Sequence, residues 1–524
     1  MTKGIDKYSI DNTDYTVGQD NIQKWGFDIH NPVFGISAGL ILLFLVATLV
    51  SDPETAKSTL DGIKWKIIGS FDWLFIWAGN IFVIFCLALI VSPFGKIRLG
   101  GKEATADYSF MSWLAMLFAA GMGIGLMFWS VAEPVAYLTG WYKTPLGVTP
   151  NTPEAAKLAL GATMYHWGLH PWAIYGVVAL SLAFFCYNKG LPLSIRSIFY
   201  PILGDRAWGW PGHVVDILAV VATLFGLATS LGMGAQQAAS GIHHVFGIDA
   251  SLSLQMYVII GVTFLAIVSV VRGIDGGVKV ISNINMIIAF VLLILVAFIG
   301  FHVTFGSIPT TLMSYVENII ALSNPHGRTD EAWFQGWTVF YWAWWISWSP
   351  FVGMFIARVS KGRTVREFLV AVLIVPTIVT LVWMSVFGGM AIDQVVNKVG
   401  ELGAKGLTDV SLAMFQMFDV IPYGKVLSLI GVVLVLVFFI TSSDSGSLVI
   451  DSITAGGKVD APIPQRIFWA SIEGAIAMAL LWVGGTQAVQ ALQAGAISTA
   501  LPFTVILLLM CVSLLKGMST EEFR

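Results

Sequence analysis

The chain has 524 residues, 56% of them hydrophobic and 11% charged, with a formal net charge of −3 and a mean hydropathy of +0.80. A soluble domain carries roughly 25% charged residues, so this composition excludes a soluble core, and the near-neutral charge gives no case for nucleic acid. Cys86, Cys186 and Cys511 lie in or at the ends of apolar runs, where they read as small apolar residues and not as a disulfide framework or a metal site.

The first thirty residues are polar, hold several aspartates and do not resemble a signal peptide. Crossing a bilayer takes roughly 20 apolar residues. Twelve such runs occur, at about 33–50, 71–93, 110–137, 165–186, 213–238, 253–271, 280–304, 335–357, 367–390, 426–450, 467–485 and 489–515. They predict an all-α integral membrane protein with 12 transmembrane helices. With the N-terminus inside, inner segments carry 19 of the 28 lysines and arginines and outer loops carry 9. This bias favours both termini in the cytoplasm. The chain thereby divides into a 1–32 N-terminal tail, two peripheral helices over 33–109, and two helical sets over 110–306 and 335–516. A connector over 307–334 separates the sets, and a short tail follows over 517–524. Residues 310–324, TTLMSYVENIIALSN, are amphipathic and suit the outer interface. Residues 358–366 carry four basic side chains, Arg358, Lys361, Arg363 and Arg366, and read as a cytoplasmic anchor.

Span 3 holds AAGMGIGLMFW, with Gly121, Gly123 and Gly125 at alternate positions. Glycines cost a helix roughly 1 kcal/mol each, and transporters use such breaks to expose backbone groups in a cavity. The same residues also suit close helix packing. Span 4 opens with HWGLHPWAIY, where Trp167, Trp172 and Tyr175 share a broad face on a helical wheel and Pro171 is a candidate kink. His166 and His170 flank it as hydrogen-bonded structural residues. Span 8 opens with YWAWWISWSPF at 341–351. Trp344, Trp345, Trp348 and Phe351 share one face of its wheel, and Trp342 points the other way. Faces of this kind hold quaternary ammonium groups at about 0.5–2 kcal/mol per ring, although tryptophan also forms interfacial belts.

Span 10 holds FFITSSDSGS. Thr441 and Ser442 offer hydroxyl oxygens to a hard cation such as Na⁺, or bond back to their own helix. Asp444 is an intramembrane carboxylate, with a functional role or a solvated, capping one. Weak internal symmetry pairs GMGI at 121–124 with GMFI at 353–356, and ATS at 228–230 with ITS at 440–442. Each pair is five spans apart, the spacing of an inverted five-helix repeat. No nucleophile–base set or metal cluster points to an enzyme, and no soluble output domain points to a sensor.

The stretches GMGIGLMFW, HWGLHPWAIY and YWAWWISWSPFVGMFIARVSKGRTVREF resemble the betaine/carnitine/choline transporters over about residues 33 to 516. The resemblance implies the LeuT-like inverted five-helix repeat of sodium-coupled amino-acid transporters, with helices 3–7 and 8–12 as the repeats after two extra helices. It also implies a homotrimer in the bacterial inner membrane among its lipids. It assigns the aromatic box to Trp167, Trp172, Tyr175 and Trp345, with Trp344 and Trp348 beside the substrate. Phe351 and Phe128 become gates. The backbone around Ala120, Gly121, Met122, Gly123 and Gly125 meets the substrate carboxylate. One sodium site uses Thr441 and Ser442 with carbonyls of Ala119 and Met122. A second would use Thr223, but its partner position is Leu227, which puts that ion in doubt. Sodium-independent exchangers of the family place an arginine where this chain has Asn285. The implied function is sodium-coupled uptake, by alternating access, of a zwitterionic quaternary ammonium or sulfonium osmolyte such as glycine betaine. Na⁺ is the coupling ion and there is no organic cofactor. The alternative is a proton-coupled or exchange carrier for choline or carnitine.

Overall fold

The computed structural model describes residues 13–121, 123–272, 278–460 and 462–521. A two-stranded antiparallel hairpin comes first, β1 (Asn21–Lys24) and β2 (Phe27–His30). Helices follow in the order α1 (Asn31–Val50), α2 (Pro53–Val91), α3 (Phe110–Gly121), α4 (Ile124–Thr139), α5 (Pro153–Trp167), α6 (Leu169–Tyr187), α7 (Tyr200–Leu203), α8 (Trp210–Phe246), α9 (Leu252–Arg272), α10 (Val278–Ile299), α11 (Phe301–Leu322), α12 (Glu331–Gly336), α13 (Thr338–Val359), α14 (Val365–Val396), α15 (Gly400–Lys405), α16 (Ala413–Asp419), α17 (Gly424–Thr454), α18 (Ile463–Gly484) and α19 (Ala488–Met518).

Local chemistry fixes several helix starts. Asp52 accepts from Thr55 N at 2.9 Å and Pro53 opens α2, the arrangement an N-cap favours. Thr152 caps α5 in the same way. Thr364 and Glu367 form a reciprocal capping box on α14. The basic 358–366 segment is therefore more than an anchor. Leu99 N donates to Arg363 O and Val365 N to Ile97 O, which ties this loop to the chain leaving α2.

Eight helical segments among the described residues are long and apolar enough to cross a membrane, or nine when the bent pair α10–α11 is included. The twelve predicted runs all fall on helices, and the shortfall has physical causes. Span 3 is split into two short helices. The tryptophans of α13 lower its hydropathy, and α18 with α19 form one continuous apolar stretch. Two boundaries also differ. Helix α2 starts at Pro53, well before residue 71. The run expected over 280–304 turns through 106° at Gly300 into α11, an amphipathic helix that begins at Phe301, before the 310–324 stretch expected to be amphipathic.

The hairpin did not register in the hydrophobic pattern. Trp25 and Gly26 carry positive φ of 53° and 82°, the signature of a two-residue type I′ turn. It docks across the ends of distant helices. Asn21 Nδ2 donates to Ala455 O at 2.8 Å, Gln465 Oε1 accepts from Asp28 N at 3.2 Å, and Lys458 pairs with Asp28. Upstream, Tyr15 stacks on Trp208 at 4.3 Å and its hydroxyl accepts from Arg196.

Burial pushes the Asp28 carboxyl up, but Lys458, Asn21 and Gln23 outweigh it and hold the group below the usual carboxylate range. A carboxyl lowered in this way stabilises docking above its unfolded pKa, and that contribution is lost as pH falls through the folded value. Lys458→Ala at pH 7 is expected to loosen the hairpin by about 1.5–3 kcal/mol and to speed tryptic cleavage after Lys24. Cleavage unchanged from wild type would show that other contacts hold the segment.

Candidate binding site

Two helix breaks and one unbroken helix converge on a cavity of about 270 Å³. The first break separates α3 from α4. Gly123 is the N-cap of α4 in an extended conformation, and Gly123, Ile124, Gly125 and Leu126 line the cavity. The N-terminus of α4 therefore faces it with the positive end of a helix dipole. Gly125 is required by close approach. A Cβ there would lie 2.7 Å from Trp344 Cη2 and 2.8 Å from Trp167 Cη2.

The second break lies at Gly168, between α5 and α6, and not at Pro171, which falls in the first turn of α6. The continuous wheel drawn through Trp167, Trp172 and Tyr175 therefore does not apply. The three rings still line one cavity, because the bend returns Trp167 to the side that α6 presents. Helix α13 is continuous, and Trp344, Trp345, Trp348, Phe351 and Phe355 line the same cavity. Trp342 points away and stacks on His170 at 5.2 Å and 13°.

The rings meet edge to face. Trp167 and Trp345 have centroids 4.9 Å apart at 77°, and Tyr175 meets Trp345 at 6.1 Å and 80°. The N–H groups of Trp167, Trp344, Trp345 and Trp348 are engaged by protein oxygens. Trp345 Nε1 donates to His166 O at 2.9 Å, and Trp167 Nε1 donates to Glu133 Oε2 at 2.8 Å. Trp344 and Trp348 both donate to Ser230 Oγ, at 3.1 and 3.0 Å. The indoles thus offer the cavity faces and edges, the geometry that attracts a cation without hydrogen-bonding it. Among the described residues, no charged side chain lines it.

Ala119, Thr441 and Ser442 border the same space. Thr441 Oγ1 donates to Val437 O at 3.0 Å and Phe438 O at 3.2 Å, which leaves its lone pairs free to accept or coordinate. Asn285 also lines the cavity, with Oδ1 unpartnered. Met122 lies outside the described residues. Ala120 and Gly121 end α3, and their surroundings also lie outside them.

Thr223 does not line the cavity. Its hydroxyl bonds back to Ala219 O at 2.7 Å, and Leu227 packs where a Cβ on Gly446 would meet it at 2.5 Å. Phe128 is not in the lining either. It sits buried against Trp129 at 5.0 Å, and Trp129 borders a second, larger cavity. Asp444 is neither solvated nor a cap, because it accepts from Arg466 at 3.1 Å and Ser269 at 3.0 Å. Helix α13 stays helical across GMFI, whereas the chain breaks between α3 and α4 at GMGI. Ser230 and Glu133 were missed as site residues. The ATS match at 228–230 was the one signal for Ser230, and Glu133 had none.

A pocket of neutral aromatic faces at broken helices, inside a multi-pass apolar bundle, defines a membrane transporter. The family model described as "BCCT, betaine/carnitine/choline family transporter" matches residues 32–523, and the chain belongs to that family of transporters; it is not an enzyme. It is 85% identical over 522 residues to glycine betaine transporter 1 of Vibrio parahaemolyticus, covering 100% of each chain. It is 68% identical to a glycine betaine/proline/choline/ectoine transporter of the same organism, over 99% of this chain and 93% of the relative. The glycine betaine transporter of Bacillus subtilis is 41% identical, over 94% of each. Among solved structures, a manganese transporter of Eremococcus coleocola aligns with 80% of this chain and 83% of its own, at 12% identity and a TM-score of 0.41.

Gly125→Ala is expected to push the Trp167 and Trp344 rings apart and weaken binding of a trimethylammonium ligand about tenfold. Quenching of tryptophan fluorescence reads this directly. Unchanged affinity would show that the rings need not rest on residue 125.

Proposed function

We propose that this chain is a sodium-coupled symporter for a zwitterionic quaternary ammonium or sulfonium osmolyte, with glycine betaine as the first choice. The observation that carries the reading is the meeting of three elements in one uncharged cavity. These are the aromatic faces of Trp167, Trp172, Tyr175, Trp344, Trp345 and Trp348, the N-terminus of α4, and the Thr441–Ser442 pair. The rings suit a cation that has no N–H to donate, and the helix terminus suits the carboxylate at its other end. A net-neutral ligand needs no compensating charge, and the described residues of the lining carry none. The printed names of the relatives point to the same ligand class.

Sodium would be held by the Thr441 and Ser442 hydroxyls with carbonyls of Ala119 and Met122, chemistry that a hard cation accepts. One such ion moves one charge, worth about 2.3 kcal/mol per 100 mV, or roughly fiftyfold accumulation. Leu227 leaves no paired hydroxyl for a second ion beside Thr223, so we assign a single ion, at Thr441 and Ser442. Asn285 carries no fixed charge at the cavity, which favours sodium coupling over exchange. The second choice is choline, a ligand in the printed name of the 68% relative, for which this cavity offers no carboxylate.

The accompanying architecture is twelve crossings in the inner membrane, with both termini in the cytoplasm. Helices 3–7 and 8–12 form inverted repeats that alternate access to the cavity, and the chain assembles as a homotrimer. Phe351 lines the cavity and serves as its gate, while Phe128 acts in the aromatic layer towards the second cavity.

Labelled glycine betaine uptake into proteoliposomes tests the reading, with an inward sodium gradient or with potassium in its place. Sodium-dependent accumulation, resisted by zwitterions more than by choline, is expected. Gradient-independent exchange would sink the symport. A Thr441→Ala, Ser442→Ala double substitution is expected to abolish the sodium dependence, and its persistence would remove that ion site. Trp345→Ala is expected to raise the half-saturating betaine concentration by about tenfold or more, the loss of up to about 2 kcal/mol from one ring.

A further inference from the structure

Glu133 is fully buried on α4, one helical turn beyond Trp129. Its Oε1 accepts from Tyr137 Oη and from His166 Nδ1, both at 2.8 Å. Its Oε2 accepts from Trp167 Nε1 at 2.8 Å and from Tyr341 Oη at 2.6 Å. His166 Nε2 lies 2.9 Å from Thr338 Oγ1 and Nδ1 lies 3.0 Å from Tyr137 Oη; the Thr338 hydroxyl can donate or accept, and His166 counts as a donor to Glu133 when the proton is on Nδ1. Four donors on two oxygens complement a carboxylate, which only accepts, whereas a protonated acid would have to donate in one of these contacts. No lysine or arginine among the described residues pairs with it, and its one basic partner is His166.

The position of this carboxylate gives it a second consequence. Trp167 binds it through Nε1 and also lines the cavity. Tyr341 binds it through its hydroxyl and stacks against Trp345 at 6.1 Å and 26°. An indole that donates to an anion gains electron density on its ring. The field of the anion also carries through packed rings with little screening.

We infer that Glu133 is a specificity-determining residue that acts through Trp167, supplying the negative potential by which this cavity prefers a trimethylammonium head over an uncharged group of the same shape. The inference rests on the cavity's reading as a cation site. It would let a lining with no charged side chain among the described residues select for charge. It also explains the orientation of Trp167 at the Gly168 break, since its N–H is held on the side away from the cavity.

The test compares two ligands of one shape. Glycine betaine carries (CH₃)₃N⁺, and 3,3-dimethylbutanoate carries (CH₃)₃C in its place. Binding of each to the purified full chain is read by tryptophan quenching. Glu133→Gln is expected to weaken betaine about tenfold and to leave the carbon isostere unchanged or tighter, so the preference ratio collapses. Equal weakening of both ligands would make Glu133 a packing residue only and overturn the inference. Where Glu133→Gln does not yield a monodisperse protein, Trp167→Phe decides, because it keeps a ring and removes the link. Its ratio must fall by the same direction, and an unchanged ratio overturns the inference. A wild-type protein that binds both ligands alike would instead overturn the cation-site reading itself.

Discussion

The broken helix at Gly168 governs the arrangement of everything around the cavity. A chain interrupted inside an apolar bundle exposes backbone groups that lipid cannot satisfy, so side chains have to cover them. Three helices do so here. Tyr315 of α11 accepts from Leu169 N at 3.0 Å, Thr380 of α14 donates to Trp167 O at 3.0 Å, and Trp345 of α13 donates to His166 O at 2.9 Å. Each bond satisfies the break and at the same time fixes a helix beside it. A Cβ on residue 168 would meet Met164 O at 2.7 Å and the Tyr315 hydroxyl oxygen at 2.8 Å, so only glycine leaves room for this closure.

The same economy shapes the tryptophans. An indole has one strong polar direction and two apolar faces. Donating that N–H to Glu133, His166 O or Ser230 fixes the ring plane and turns π-density towards the cavity. The polar groups left in the lining are neutral, Asn285 and the hydroxyls of Ser230, Thr441 and Ser442 among them. The result is a pocket lined by ring faces and a helix N-terminus, with the Glu133 carboxyl one layer behind. That layer also carries strain-free polar closure, since Glu133 satisfies two tyrosines, a histidine and an indole at once.

The N-terminal hairpin belongs to a different part of the physics. It is a small polar element held by ion pairing and hydrogen bonds, not by apolar burial. It bridges the segment around Arg196 and Trp208 to the ends of α17 and α18. A contact of that type spans two halves of the bundle and sits at one end of it, where relative movement of the halves would have to break it or carry it along.

Much of this was legible in the sequence where the information is local. Helix α13 is unbroken, so a wheel drawn from 341 to 351 correctly separates Trp342 from Trp344, Trp345 and Trp348. The Gly121–Gly125 alternation marks the α3–α4 break, because glycine removes the local reason to stay helical. The wheel over span 4 failed because its break lies between the residues being compared, and neither Gly168 nor Pro171 alone announces which of them bends the chain. Thr223 was a doubtful ligand from the resemblance alone because Leu227 stands at its partner position, and Leu227 packs against Gly446. Glu133 stands in a run, SVAEPVAY, with nothing to mark it. Its partners at 166, 167 and 341 are 33, 34 and 208 residues away. The sequence by itself determined the membrane class, the helices and the residue chemistry of the pocket, since hydropathy, glycine placement and aromatic spacing act within one or two helical turns. Only the tertiary structure decided which hydroxyls face the cavity, where the helices bend and which buried carboxylate stands behind the rings, because those depend on what distant helices leave unsatisfied.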